Sequence, residues 1–143
     1  MEKTDNRTLG SHFEQELAEK LAANGFWVHV MQQNKSGQPA DIIALRGRFH
    51  TLIDCKLCAD GTFAFERIED NQRSAMKLFF RKAGELSYFA LKLPDESIRM
   101  VSLERLETLR NRGKHRLKQE DMTKETWNID DWIESSKTWA EDE

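Results

Sequence analysis

The 143-residue sequence predicts an α/β domain, a central mixed sheet flanked by helices, with elements in the order α-β-β-β-α-β-β-α. Three observations support this. Phe13, Leu17 and Leu21, with Ala18 and Ala22, form an apolar stripe at helical spacing, and three runs of β-forming residues follow it. Gly47 fits the first central position of a two-residue hairpin turn, where positive φ is required, and folds two of those runs back on each other. Two further helices have start and stop residues, Asp70 with Gly84 and Ser102 with Gly113. No internal repeat is visible.

Residues 1–8 are polar, as expected of a fraying terminus. The first helix runs from Ser11 to Asn24 and stops at Gly25. Ser11 and Glu14 have the spacing of a capping box, which would occupy Glu14 with a backbone amide. The other reading puts Glu14 at the edge of the apolar stripe, pointing over the sheet toward Asp41 and Asp54. Phe26 to Gln33 forms the first strand, with His29 at the core edge or on the solvent face. A polar loop, Asn34 to Pro39, follows, and its Lys35 and Ser36 either bind a phosphate or form a plain surface turn.

The next strands are Asp41 to Arg46 and Phe49 to Lys56. The turn at Gly47-Arg48 sets their register: Arg46 faces Phe49, Ile43 faces Leu52, and Asp41 faces Asp54. Lys56 shares the face of Asp54, and Cys55 takes the other. Opposed like charges destabilise a strand pair, so the acids are either solvated strand ends or neutralised by a cation. Two carboxylates beside a lysine are therefore a candidate Mg²⁺ or Mn²⁺ site, since such hard cations take oxygen ligands.

Leu57 to Glu69 contains Phe63 and Phe65, and Asp70 then caps a helix that runs to Ala83. Ala75, Met76, Phe79, Phe80 and Ala83 form its apolar face, with Gln72 near its start, where its amide either bonds the metal's water or the lysine or is simply solvated. Arg73, Lys77 and Arg81 line one side, which suits either a phosphate backbone or a solvated face. Strands at Leu86–Leu93 and Ser97–Val101 flank the turn Pro94-Asp95-Glu96. Ser102 caps the last helix of the core, with Leu103, Leu106 and Leu109 inward. This divides the chain into a core, residues 1–112, and an acidic extension, residues 113–143. The extension begins as a polar linker and ends in a helix over Asn128 to Ala140. Three of the four tryptophans, Trp127, Trp132 and Trp139, lie there, as expected of a segment that docks on the core or on a second subunit.

A chain of this length buries about 68 % of its unfolded surface on general scaling, enough for a real core. There is no long apolar run and no apolar leader segment, which predicts a cytoplasmic protein. Cys55 and Cys58 form one C-x-x-C without a second pair, too few ligands for a zinc site, so both are expected as reduced structural thiols. The net charge of −3 is uneven: residues 113–143 hold five Lys/Arg against nine Asp/Glu, and the remainder is close to neutral. Such a core still suits a nucleic-acid partner if its acids gather at a metal site.

The stretches Gly10-Ser-His-Phe-Glu14, Pro39-Ala-Asp41, Asp54-Cys-Lys56 and Asp70-Asn-Gln72 together resemble the PD-(D/E)xK nuclease superfamily. Within it the resemblance is to RecU-like Holliday junction resolvases, the penicillin-binding-protein-related factor A family, many of them phage encoded. It implies a restriction-endonuclease-like core and a homodimer that cuts four-way DNA junctions with Mg²⁺ or Mn²⁺. It also implies that Asp41 and Asp54 are metal ligands, that Glu14 completes the acidic site, that Lys56 orients or activates water, and that Gln72 supports them. Lys35, Ser36, Arg46, Arg48, Arg73, Lys77 and Arg81 are the candidate DNA contacts. Two features depart from the pattern: Asp54 stands where Glu is commoner, and the turn at Gly47-Arg48 leaves no room for the stalk that RecU proteins insert there. A restriction or repair endonuclease of the same superfamily, and a non-catalytic DNA-binding protein on this fold, are the alternatives.

Overall fold

The computed structural model describes residues 6–32 and 38–141. Lys35, Ser36 and the end of the first predicted strand at Gln33 lie outside the described residues. Helix α1 (Asn6–Ala23) leads into strands β1 (Trp27–Val30), β2 (Ile42–Arg46) and β3 (Phe49–Leu57). A two-residue strand β4 (Phe63–Ala64) and one 3₁₀ turn precede helix α2 (Asp70–Ala83). Strands β5 (Tyr88–Lys92) and β6 (Ile98–Ser102) and helix α3 (Leu103–Asn111) follow. The chain then adds β7 (Arg116–Leu117), α4 (Gln119–Glu125), β8 (Trp127–Asn128) and α5 (Ile129–Trp139).

The main sheet has the order β1-β2-β3-β5-β6-β8, parallel at β3/β5 and antiparallel at its other pairings. This is the expected mixed α/β sheet flanked by helices. The hairpin has the predicted register, with Arg46 opposite Phe49 and Ile43 opposite Leu52. Gly47 has φ 53°, and a Cβ there would meet the Ala140 carbonyl oxygen at 2.7 Å, so both conformation and space demand glycine. Ser102 Oγ accepts the Arg105 amide at 3.0 Å, and Leu103, Leu106 and Leu109 are buried, as the cap predicted.

Side-chain alternation divides the core. Phe13, Leu17, Leu21, Ile42, Ala44 and Ile53 pack between α1 and one sheet face. Met76, Phe89, Leu91, Val101 and the leucines of α3 fill the other.

Several expectations are corrected. Helix α1 begins at Asn6, so Ser11 is an interior residue and the Ser11/Glu14 capping box does not form. Ala22, expected on the buried stripe, is exposed. The N-cap of α2 is Glu69 rather than Asp70. Of its predicted apolar face only Met76 is fully buried, since it alone joins the buried cluster with the leucines of α3, whereas Phe80 is 48 % exposed. Residues 114–126, read as polar linker, form β7 and α4, since β7 pairs with β4 and buries Leu117, and α4 buries Met122. The last helix begins at Ile129, after an Asn128 side-chain cap on the Asp130 amide at 2.8 Å.

The three C-terminal tryptophans dock on this chain's own sheet. Trp132 is fully buried, its ring stacked on Phe26 at 5.8 Å and edge-on to Phe49 and Tyr88 at 5.7 and 5.2 Å. Trp139 packs beside them, and β8 extends the sheet through Trp127 and Met100. Cys55 and Cys58 are free thiols. Among the described residues no helix is long and apolar enough to cross a membrane.

Candidate active site

At the edge of the β2–β3 hairpin the Asp41 amide donates to the Ile53 carbonyl at 3.0 Å, which extends the hairpin register to bring Asp41 beside Asp54. Asp41 is held from two directions. Its Oδ2 accepts the Cys55 backbone amide at 2.7 Å, and its Oδ1 accepts the Gln38 side-chain amide at 3.2 Å. Asp54, on β3, is buried at 1 % exposure. Its Oδ1 accepts Gln72 Nε2 at 2.8 Å. Its Oδ2 lies 3.0 Å from Lys56 Nζ, a strong charge contact that is not aligned as a hydrogen bond.

Gln72 uses both ends of its amide. While Nε2 holds Asp54, Oε1 accepts from Lys56 Nζ at 3.3 Å and from the Glu69 backbone amide at 3.2 Å. The first turn of α2 thereby fixes both the acid and the lysine of β3, and this network fixes which end of the amide is oxygen.

Glu14 joins from α1. With no helix start to cap, its half-buried carboxyl is pushed up to about 8 by burial first, then by the Asp41 charge and a hydrogen bond to Asp41, with Asp54 adding to the push. Asp54 is pushed up to about 7 by burial and the Asp41 charge, against an opposing pull from Lys56. The structure thus brings Glu14, Asp41, Asp54, Lys56 and Gln72 together. Three acids gathered at this cost are what a cation would relieve.

The donor set fits a small hard cation. Asp54 Oδ2 is a buried oxygen with no aligned donor, and Asp41 stands beside it. Among the described residues no group of three His, Cys, Asp or Glu side chains is arranged to hold a metal on its own. Two carboxylates fit Mg²⁺ nonetheless, since it keeps several waters and shares its shell with substrate phosphates.

The raised values have a consequence for stability. Glu14 goes from an ordinary 4.5 to about 8 and Asp54 from 3.8 to about 7, so between these limits the folded chain holds more protons than the unfolded chain. Cation-free protein is expected to keep this contribution in full below about pH 4 and to lose it as pH rises through 7 and 8. Urea midpoints between pH 5 and pH 8 in EDTA check this, and a midpoint that rose with pH across that window would contradict the coupled acids.

The other predicted contacts fare differently. Arg46 is turned inward. It donates to the Ile133 carbonyl and Ser136 Oγ at 3.3 and 3.1 Å, bonds the Asn24 carbonyl, and lies over the Phe26 ring at 4.8 Å. It therefore latches α5 and the end of α1 to the hairpin, a role that sequence reasoning missed because its partners are distant in the chain. Arg73 and Lys77 both approach Glu107 of α3, at 3.5 and 3.2 Å, so the anion expected opposite this row is an internal one. Arg48 and Arg81 are exposed. Gln38 was also missed, a lone amide in a polar loop with no pattern to mark it.

A mixed sheet that sets one aspartate at the edge of β2, an Asp-x-Lys on the neighbouring strand and a glutamate on the preceding helix defines a nuclease of the PD-(D/E)xK class. Residues 5–140 match the family model described as archaeal Holliday junction resolvase (Hjc), and the chain belongs to that family. The assignment replaces the RecU-like family expected from the motifs, and the short turn at Gly47-Arg48 accords with it. Among solved structures the chain is similar to Hjc, a Holliday junction resolvase from the archaeal hyperthermophile Archaeoglobus fulgidus. The two share a TM-score of 0.68 and 22% identity over 87% of this chain and 98% of that one, a likeness of fold. No curated protein matches the sequence.

Proposed function

We propose that this resolvase hydrolyses phosphodiesters of four-way DNA junctions with a divalent cation, Mg²⁺ or Mn²⁺, held by Asp41 and Asp54 with Glu14 alongside. The observation behind the proposal is the gathering of these carboxylates against Lys56 and Gln72, in which Glu14 and Asp54 stand at about 8 and 7. A bound cation would lower the pKa of its water and offset charge on the scissile phosphate. The chain's own residues supply position. Gln72 and the Cys55 amide fix the two aspartates. Lys56, tethered by Asp54 and Gln72, presents its ammonium to the phosphate and orients the attacking water. We keep DNA-backbone contact for Lys35, Ser36, Arg48 and Arg81, and we do not assign it to Arg46, which is turned inward onto Ile133, Ser136 and Asn24, or to Arg73 and Lys77, which approach Glu107.

A four-way junction carries paired strands to be cut, which calls for two active sites and so for a homodimer. The exposed Leu78 and Phe80 of α2, beside a cleft of about 600 Å³ between α2 and α3, support that helix as the contact.

Incubation with labelled four-way junction, flap and linear duplex, in Mg²⁺ and in EDTA, tests the reading. Paired nicks on the junction in Mg²⁺ alone are expected. Equal cutting of duplex would favour a general endonuclease, and binding without cutting would favour a non-catalytic protein.

A further inference from the structure

Gln38 stands at the end of a loop, and its side-chain amide reaches the acidic site. Its Nε2 donates to Asp41 Oδ1 at 3.2 Å. Its Oε1 is buried and has no hydrogen-bond donor among the described residues. A buried amide oxygen without a donor loses its hydration without compensation, and such groups in folded proteins ordinarily face a water or an ion. The two ends of one amide are inseparable, so this oxygen lies within a water's span of the Asp41 carboxylate.

We infer that Gln38 is a positioning residue for the divalent cation, its Nε2 orienting Asp41 and its Oε1 accepting a hydrogen bond from the cation's hydration shell. The inference rests on the proposed cation site and adds a residue to it. The chemistry is consistent at each atom. Asp41 Oδ2 is committed to the Cys55 amide, and Gln38 supplies a neutral donor to Oδ1 beside the hydrogen bond the carboxyl shares with Glu14. Asp54 and Gln72 are locked by a separate network. The carboxylates of the described residues do not form a closed cage, so a cation here keeps waters, and those waters need acceptors. A neutral amide oxygen serves without adding to the charge of three neighbouring acids. Groups that orient ligands or bound water in this way typically change metal affinity by about 10–100-fold when removed.

The test is calorimetric titration of Mn²⁺ into DNA-free protein, paired with thermal melting in EDTA. Gln38→Met, which keeps shape and removes both polar ends, is expected to weaken Mn²⁺ binding about tenfold or more. Its melting temperature in EDTA is expected to equal or exceed that of the parent, because an unsatisfied buried oxygen has been removed. Gln38→Glu, which keeps an acceptor, is expected to retain more of the affinity than Gln38→Met. A purely structural glutamine would give the opposite pattern, a lower melting temperature in EDTA with unchanged Mn²⁺ affinity, and that result overturns the inference. Asp41→Asn serves as the control. If it abolishes Mn²⁺ binding while Gln38→Met leaves it intact, this inference alone fails. If Asp41→Asn also leaves binding intact, the proposed cation site fails with it.

Discussion

Asp54→Asn is expected to lower junction cleavage by about 10³-fold or more, the scale seen when a principal electrostatic group leaves an active site, while junction binding is retained or improved. The substitution is nearly isosteric. Asn keeps an oxygen for Gln72 Nε2, now at 2.8 Å from Asp54 Oδ1, while removing the charge and turning an NH2 group toward Lys56 in place of Oδ2. A loss of that size corresponds to about 4 kcal/mol of transition-state stabilisation, far beyond any contribution from packing at this position. The stability of the variant separates causes. At pH 8 in EDTA the parent holds Asp54 ionised against its burial first and the Asp41 charge second, a cost larger than the Lys56 contact returns, so a neutral side chain there should leave the fold as stable or more so. Single-turnover cleavage of labelled junction, with gel-shift binding in Ca²⁺, measures both quantities. Full activity in this variant would remove Asp54 from the site.

The largest structural effect is expected at Trp132. It is fully buried and touches the rings of Phe26, Phe49, Tyr88 and Trp139, so α5 joins the hairpin, β5 and the segment after α1 through one side chain. Trp132→Ala is expected to cost about 3–5 kcal/mol, the range for deleting a buried indole. Domains of this size are stable by only about 5–15 kcal/mol, so the variant should be marginal. Trp132→Phe should recover much of the loss. Urea denaturation followed by circular dichroism gives the values. If the Ala variant unfolded at the parent's midpoint, the C-terminal helix would be a dispensable attachment.

The hairpin that carries Asp41 and Asp54 was readable in the sequence because its determinants are local. A two-residue turn at Gly47 fixes the register, and register places Asp41 beside Asp54. The caps and leucine spacing of α3 were equally local. The site's other members were harder. Ser11 and Glu14 have capping-box spacing, and only the start of α1 at Asn6 shows that Glu14 caps nothing. In residues 114–126 the apolar signal is limited to Leu117 and Met122, whose burial depends on partners far away in the chain. Arg46 looks like any basic residue at a hairpin tip, and its role as a latch follows from Ile133 and Ser136, about ninety positions distant. The superfamily was legible from short motifs in order, whereas the particular resolvase family depends on the whole chain.

In the proposed cation site of Glu14, Asp41 and Asp54, the raised carboxyls of Glu14 and Asp54 keep part of their protons until a cation arrives. Calorimetric titration of Mn²⁺ at pH 7 in two buffers of different ionisation enthalpy measures those protons. With Glu14 at about 8 and Asp54 at about 7, binding should release on the order of one proton per cation, and affinity should climb from pH 6 to pH 8. Binding without proton release, or no binding at all by the folded protein, would contradict the proposed site.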